Sequence, residues 1–549
     1  MTKITGSELA AETLARIGIR TFFFLMGGPM NNLLRGALRR GLRGIDVRHE
    51  QAAAMMAHAH ARVSNQPGVC MGASGPGTIN LTTGLATALV DCSPVVALGG
   101  ASPLDEIGTG AFQEIDQLAI MRPVTKWAER VYETRRIPEM IDAAFRQSIA
   151  GRPGPVYLDL PADVLYAEVD VDSVVWPDLS RTLVRARPQG DPLLVEETVR
   201  LLQQAERPVV LSGSGVLWSG AEAALRAWLE LTGMPIYTTP QGRGVLPEDH
   251  AHAFLNARAT ALREADFILV VGTRLNYVFG RGLPPRLSAS ARLVRIDIEP
   301  AEIASGARAD IGIVGDCAAV LGQLIAAARP RLDAKRFAPW RERLGQIDAS
   351  KREANEARMS TEQVPIHPLR LCKAVRDFID RDAILVVDGQ EILNFGRQSI
   401  PTFVPRHRIN SGTFGTMGVG LPFGLGAKLA KPDAQVVVLH GDGSFGLNGL
   451  ELDTAVRHRI PVLVVISLNG GWTADPAGDK PGRNLGYTRF DLIARDLGCH
   501  GEFVERPEDI LPALQRAKAA VDAGRPAVVN VVTDSTARAT TAKFTQTMT

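Results

Sequence analysis

The 549-residue sequence is short of several things, and each shortage excludes a class of protein. Its five cysteines (Cys70, Cys92, Cys317, Cys372, Cys499) are scattered, and none forms a Cys-x-x-Cys pair. Zinc cages and disulfide frameworks need clustered thiols, so neither is expected. Isolated thiols, odd in number, in a long chain read as a reduced, cytoplasmic setting. An excess of one charge sign is also missing: 61 Lys+Arg face 59 Asp+Glu, for a net charge of +2. A nucleic-acid binder needs a basic excess, so no nucleic-acid partner is expected. Any anionic ligand must be held by local arginines, which far outnumber lysines. No apolar run reaches the ~18 residues of a membrane span. The opening MTKITGSELAAETLARIG reads as a strand and an amphipathic helix, without the basic segment and apolar run of a signal peptide. The closing TQTMT carries no targeting or lipid-anchor signal. Low-complexity tracts and short-period repeats are absent.

What is present is an ordinary globular composition, 45% hydrophobic and 22% charged. A chain this long buries several cores, and its length suggests roughly three or four domains. Residues 1–165 alternate apolar runs with helical segments, as in GVCMGASGPG, PVVALGG and GPVYLDLP. Such βα alternation predicts a parallel sheet covered by helices. Residues 166–190 collect Pro, Asp and Arg and read as a linker. The βα rhythm returns over 190–330, in RPVVLSGSGV, DFILVVGTRLN and RLVRIDIEP. Residues 331–365 are mostly charged and read as a solvated helix and linker rather than core. A third block, 366–533, has the strands AILVVDGQ, AQVVVLHGDGS, PVLVVISLNGG and PAVVNVVT. Residues 534–549 are polar and read as a flexible tail. The expected fold class is α/β, with three Rossmann-like parallel-sheet domains of similar size.

The most informative stretch is HGDGSFGLNGLELDTAVRHRIPVLVVISLNGGW. Asp442 sits in a Gly-Asp-Gly turn after a buried strand, and Asn469 ends the next strand 27 positions later. The segment between has helical periodicity, so the unit is strand–helix–strand. In a parallel sheet the C-terminal ends of both strands meet at one edge, which brings Asp442 and Asn469 together. A carboxylate and an amide oxygen, with a backbone carbonyl assigned to Gly471, suit an octahedral Mg²⁺ that also binds a diphosphate. Gly441, Gly443, Gly470 and Gly471 let the backbone come close. Ser444 and the helix N-terminus beside it are donors for phosphate oxygens.

A GDG turn followed at this spacing by Asn resembles the thiamine diphosphate signature of the pyruvate-oxidase and acetolactate-synthase superfamily. The resemblance covers nearly the whole chain. It implies a pyrimidine-binding domain over 1–165, a central nucleotide-binding domain over 190–330 and a diphosphate-binding domain over 366–533. It makes Glu50, which ends the strand IDVRHE, the carboxylate that hydrogen-bonds the aminopyrimidine and activates the cofactor. In SGTFGTMGVG it makes Met417 the wedge between the cofactor rings and the Gly415 carbonyl the acceptor for the 4′-amino group. Gln390, in DGQEILNFGR, falls where relatives bind the diphosphate. It further implies a homo-oligomer, a dimer or tetramer, with each site built between subunits from Glu50 of one chain and Asp442 of another.

Within the superfamily, PRHRINSGTFGTMGVGL and GRPGPVYLDLPADV are similar to 2-hydroxyacyl-CoA lyase and oxalyl-CoA decarboxylase sequences. Acetolactate synthases usually carry Lys where Ala162 stands. In GAFQEIDQ the Phe112-Gln113 pair resembles the lyases, whereas the decarboxylases typically show Tyr-Glu there. Benzaldehyde lyase shares the Gln, but its N-terminal histidines are replaced here by FLMGGPMNN. His49, His58 and His60 lie on or beside a helix and read as structural. The resemblance thus implies a lyase that cleaves the C1–C2 bond of a 2-hydroxyacyl-CoA through a thiamine diphosphate ylid, giving formyl-CoA and an aldehyde or ketone. Gln113 would hydrogen-bond the thioester oxygen or the substrate hydroxyl. Alternatives are oxalyl-CoA decarboxylase, or a carboligase like acetolactate synthase or benzaldehyde lyase. A non-catalytic nucleotide-binding homologue is disfavoured because Glu50, Asp442 and Asn469 are intact.

For the central block, Gly213 in the SGSG turn allows close phosphate approach and Arg274 offers a bidentate fork. Asp297 ends a strand, where nucleotide folds accept from a ribose hydroxyl. Arg152 in GRPGP matches a nucleotide-contacting arginine of oxalyl-CoA decarboxylase. The ligand expected is CoA, with ADP or FAD as alternatives. The tail, with Arg538, Lys543 and Phe544, is either disordered or a lid over the bound CoA.

Overall fold

The structure, a computed structural model, describes residues 2–539. Three all-parallel sheets, covered by helices, form three α/β domains in sequence. In the N-terminal domain the spatial order is Arg43–Asp46, Thr21–Phe24, Gly68–Gly72, Val95–Ala101, Val156–Pro161, Trp127–Arg130. The central sheet runs Ile236–Thr238, Pro208–Ser212, Phe267–Val271, Arg292–Asp297, Ile311–Val314. The C-terminal sheet runs Arg408–Ile409, Ile384–Asp388, Val436–Gly441, Leu463–Leu468, Ala527–Val532, His500–Val504. The middle strands are apolar runs buried on both faces, as parallel sheets require. Lys3–Thr5 adds a short antiparallel pairing with Glu168–Asp170.

The first and third domains share one core. The helix Glu50–Ser64 packs against Gly420–Ala430 through small residues. A Cβ on Gly426 would lie 2.3 Å from the Met56 carbonyl oxygen, so only glycine permits this approach. No helix among the described residues is long and apolar enough to cross a membrane.

One expectation is corrected, and a second is met only over part of its span. The charged stretch 331–365 contains the helix Ala338–Met359, which buries Trp340 and Leu344 against the central domain. The two are four residues apart and share a helix face, so a minority of apolar residues suffices to dock a charged helix. The tail is ordered as far as it is described. Asp534 N donates to Ile366 O, Ala539 N donates to Glu391, and Ala537 and Ala539 are buried. The remaining tail, including Lys543 and Phe544, lies outside the described residues.

Candidate active site

In the C-terminal sheet Asp388 pairs with His440, and Gly441 with Ser467. The strand ends are therefore level, and the loops leaving them converge. Gln390, Asp442, Gly443, Ser444, Asn469 and Gly471 line one narrow cleft together with Met417 and Trp472. Asp442 accepts from Gly443 N at 2.8 Å and from Gly471 N at 3.0 Å. Gly471 N also donates to Asn469 Oδ1 at 3.2 Å. Burial pushes the Asp442 carboxyl up to about 6, and hydrogen bonds from Gly443 and Gly471 only partly offset this. A Cβ on Gly443 would lie 2.7 Å from the Trp472 ring.

Among the described residues no three His, Cys, Asp or Glu side chains form a metal cluster. The side-chain donors that do converge, on Gly471 N, are the Asp442 carboxylate and the Asn469 amide, both hard oxygens. That set fits Mg²⁺ with its remaining positions filled by a diphosphate, and does not fit zinc.

The Ser444 hydroxyl is already engaged. His440 Nε2 accepts from Leu421 N, so its proton sits on Nδ1 and donates to Ser444 Oγ, which donates to Gly441 O. Burial holds His440 neutral, its pKa lowered to about 3. Ser444 thus keeps its backbone N–H, rather than its hydroxyl, for an incoming anion. Gly415 adopts φ +74, and a Cβ there would meet nothing within 4 Å. Backbone conformation, not crowding, calls for glycine at that position.

Glu50 opens the helix Glu50–Ser64 and is 6% exposed. Asn80 Nδ2 donates to its Oε2 at 3.0 Å, and Gly77 packs beside Oε1. The turn before it is gripped from the C-terminal domain, where Glu451 Oε1 accepts from Arg48 N and His49 N. Glu50 is not among the residues lining the Asp442 cleft. Gln113 adopts φ +60, and its Oε1 accepts from Ser74 Oγ at 2.8 Å. The Ser74–Gly77 turn therefore touches both Gln113 and Glu50. Beside Gln113, Phe112 is 87% exposed. His49 caps its helix through Nδ1 and His58 packs edge-on against Phe423, both structural placements.

The nucleotide-site candidates, Arg152 from the N-terminal domain and the others from the central one, also meet. Arg152 and Arg274 both reach Glu302 Oε1, at 2.7 and 3.0 Å. Arg274 donates to Cys92 Sγ, and Gly213 N donates to Val271 O at the adjoining strand end. A Cβ on Gly213 would lie 2.3 Å from Gly272 O. Asp297 is 9% exposed, and burial pushes its carboxyl up to about 6.

Family models for the thiamine pyrophosphate enzyme N-terminal TPP-binding, central and C-terminal TPP-binding domains match residues 4–120, 195–324 and 394–531. The chain belongs to the thiamine pyrophosphate enzymes. A probable acetolactate synthase of Mycobacterium bovis is 35% identical over 96% of both chains. A 2-hydroxyacyl-CoA lyase of Arabidopsis thaliana is 32% identical over 97% of this chain and 96% of its own. Human 2-hydroxyacyl-CoA lyase 1 is 30% identical over 96% and 94%.

In this thiamine pyrophosphate enzyme several supporting residues were not singled out from the sequence. Gln117 is buried; its Oε1 accepts from Gly75 N, and its Nε2 donates to Gly100 O, the Tyr157 hydroxyl and Asp159. It thereby fixes the turn between Gln113 and Glu50. Arg483 braces the loop beyond Asn469, donating to Asn469 O at 2.9 Å and Thr473 O at 3.2 Å. Glu451 and Asn80 do the same for Glu50. No local signal marks any of the four, because each acts on a residue distant in sequence.

Proposed function

We propose that this enzyme is a 2-hydroxyacyl-CoA lyase releasing formyl-CoA and an aldehyde or ketone. The observation that carries the reading is Gln113: a neutral amide, held by Ser74 on the turn that packs Glu50, beside the apolar Phe112. A neutral amide at this position supports a substrate whose reacting end has no free carboxylate. Thiamine diphosphate, when bound, supplies a nucleophilic carbon and an electron sink for C–C cleavage.

Glu50, buried and held by Asn80, would hydrogen-bond the cofactor's pyrimidine. Met417 and the Gly415 carbonyl orient that ring. Asp442, Asn469 and Gly471 hold Mg²⁺, and Gln390, Gly443 and Ser444 N–H meet the diphosphate. Gln113 donates to the thioester oxygen or the substrate hydroxyl. As the family resemblance implies, the reading includes a homo-oligomer, dimer or tetramer, with the site built between subunits. Arg152, Arg274, Gly213 and Asp297 bind the nucleotide end of CoA, or ADP. The five free thiols support a cytoplasmic setting.

A second reading, a carboligase of the acetolactate synthase type, is favoured by the 35% identity to the Mycobacterium bovis protein. Incubation with a 2-hydroxyacyl-CoA, with oxalyl-CoA and with pyruvate separates them. Formyl-CoA with a carbonyl product supports the lyase. Formyl-CoA with CO₂, or acetolactate from pyruvate alone, sinks it.

A further inference from the structure

The loop 411–417 runs from the strand Arg408–Ile409 to Met417 at the cleft. It is rich in glycine, with Gly412 at φ +61 and Gly415 at φ +74. Such a segment loses much conformational entropy on ordering, so something must fix its path. Two contacts do, and both come from the helix Thr82–Val90 of the N-terminal domain and its C-cap residue Asp91.

The first contact is at Asp91. Its side chain is buried, and Oδ2 accepts from Gln241 Nε2 of the central domain at 3.0 Å. Gln241 Nε2 also reaches Asn410 O at 3.3 Å, and Asn410 Oδ1 accepts from Gly412 N at 2.9 Å. Arg62 Nη1 and His58 Nε2 each stand 3.6 Å from Asp91 Oδ2. At Gly412 a Cβ would lie 1.8 Å from Asp91 Oδ1 and 2.4 Å from Gln241 Nε2. The loop backbone therefore runs directly against this carboxylate, at a point where all three domains meet. The second contact is one helical turn earlier: Thr87 Oγ1 and Thr416 Oγ1 share a hydrogen bond of 2.7 Å. Thr416 immediately precedes Met417. Thr87 and Asp91 are four apart and lie on one helix face, so a single rigid element sets both ends of the loop.

A buried carboxylate whose nearest cation stands beyond hydrogen-bond distance is a costly way to fill a core, and apolar side chains do it better. We infer that Asp91, supported by Thr87, is a positioning residue for the pyrimidine side of the cofactor site, holding loop 411–417 so that Met417 reaches the cleft. This rests on the cleft being the thiamine diphosphate site.

The test uses the full chain with Mg²⁺ and two probes, thiamine diphosphate and inorganic pyrophosphate. Binding is followed by the fluorescence of Trp472 and its fellow tryptophans and by near-ultraviolet circular dichroism. Asp91→Ala is expected to weaken thiamine diphosphate about tenfold, a typical loss when a supporting contact is removed. Pyrophosphate affinity stays at the parent value, because Asp442, Asn469 and Gln390 are untouched. Asp91→Asn, which keeps an acceptor for Gln241, restores most of the loss. Parent-like thiamine diphosphate binding and dichroism in Asp91→Ala overturn the role. If Asp91→Ala loses both probes together, Thr87→Val decides: selective weakening of thiamine diphosphate upholds the role, and parent-like binding overturns it. Failure of the unsubstituted chain to bind thiamine diphosphate instead sinks the site reading on which the role depends.

Discussion

Asn80 donates its side-chain amide to Glu50 Oε2 over 3.0 Å, and this bond aims a buried carboxylate without giving it a permanent cation. A salt bridge would hold the side chain more strongly and blunt its use on a cofactor. Glu50→Gln is expected to lower kcat at least about 100-fold, the usual contribution of a positioned acid–base group. Asn80→Ala is expected to lower it less. Full activity in Glu50→Gln would show that the carboxylate takes no part.

If Asp442 holds Mg²⁺ as proposed, it sets a pH limit on metal binding. Its folded-state carboxyl is raised by burial to about 6, so the metal-free protein protonates it as pH falls through that value. The metal needs the carboxylate, so Mg²⁺ affinity is expected to fall about tenfold per pH unit below about 6 and to level off above it. The stability effect has the opposite sign. The raised pKa contributes stability below the usual carboxylate range, and that contribution is lost as pH rises through about 6. Mg²⁺ is therefore expected to raise Tm more at about pH 8 than at about pH 5. Calorimetric Mg²⁺ titrations and melting curves at several pH values check both.

Gln113→Glu keeps the acceptor for Ser74 Oγ and adds a charge where the proposed lyase reading puts the reacting end of the substrate. For a 2-hydroxyacyl-CoA, kcat/KM is expected to fall about tenfold or more, as a neutral hydrogen-bond donor is replaced by a negative charge. An unchanged value would place the substrate away from this turn.

Arg274→Ala removes one of the two guanidinium groups on Glu302 and the contact with Cys92. If the cluster binds the nucleotide end of CoA, KM for the acyl-CoA rises about tenfold while kcat holds, the pattern of lost uniform binding. A fall in kcat with KM unchanged would point to the loop hub at Asp91 instead, since Cys92 is its neighbour in sequence.

Much of the site was legible in the sequence because it is encoded locally. Asp442 and Asn469 follow apolar strands directly, and parallel strands joined by a helix must end at the same edge. Gln390 and Met417, placed by family resemblance, line that same cleft. The charged helix Ala338–Met359 and the segment 534–539 were harder to read, because average polarity hides a few buried apolar contacts.

The amino-acid sequence by itself determined the three βα blocks, the strand-end turns and the residue types offered there to a metal and a diphosphate. Those depend on periodicity and backbone preference over a few neighbouring residues. Only the tertiary structure decided how these pieces are held. Gln241 on Asp91, Glu451 under the turn before Glu50, Gln117 behind Gln113 and the shared Glu302 all join residues far apart in the chain. A buried polar side chain is stable only where packing brings it a partner, and the sequence carries no local mark of which distant residue that will be.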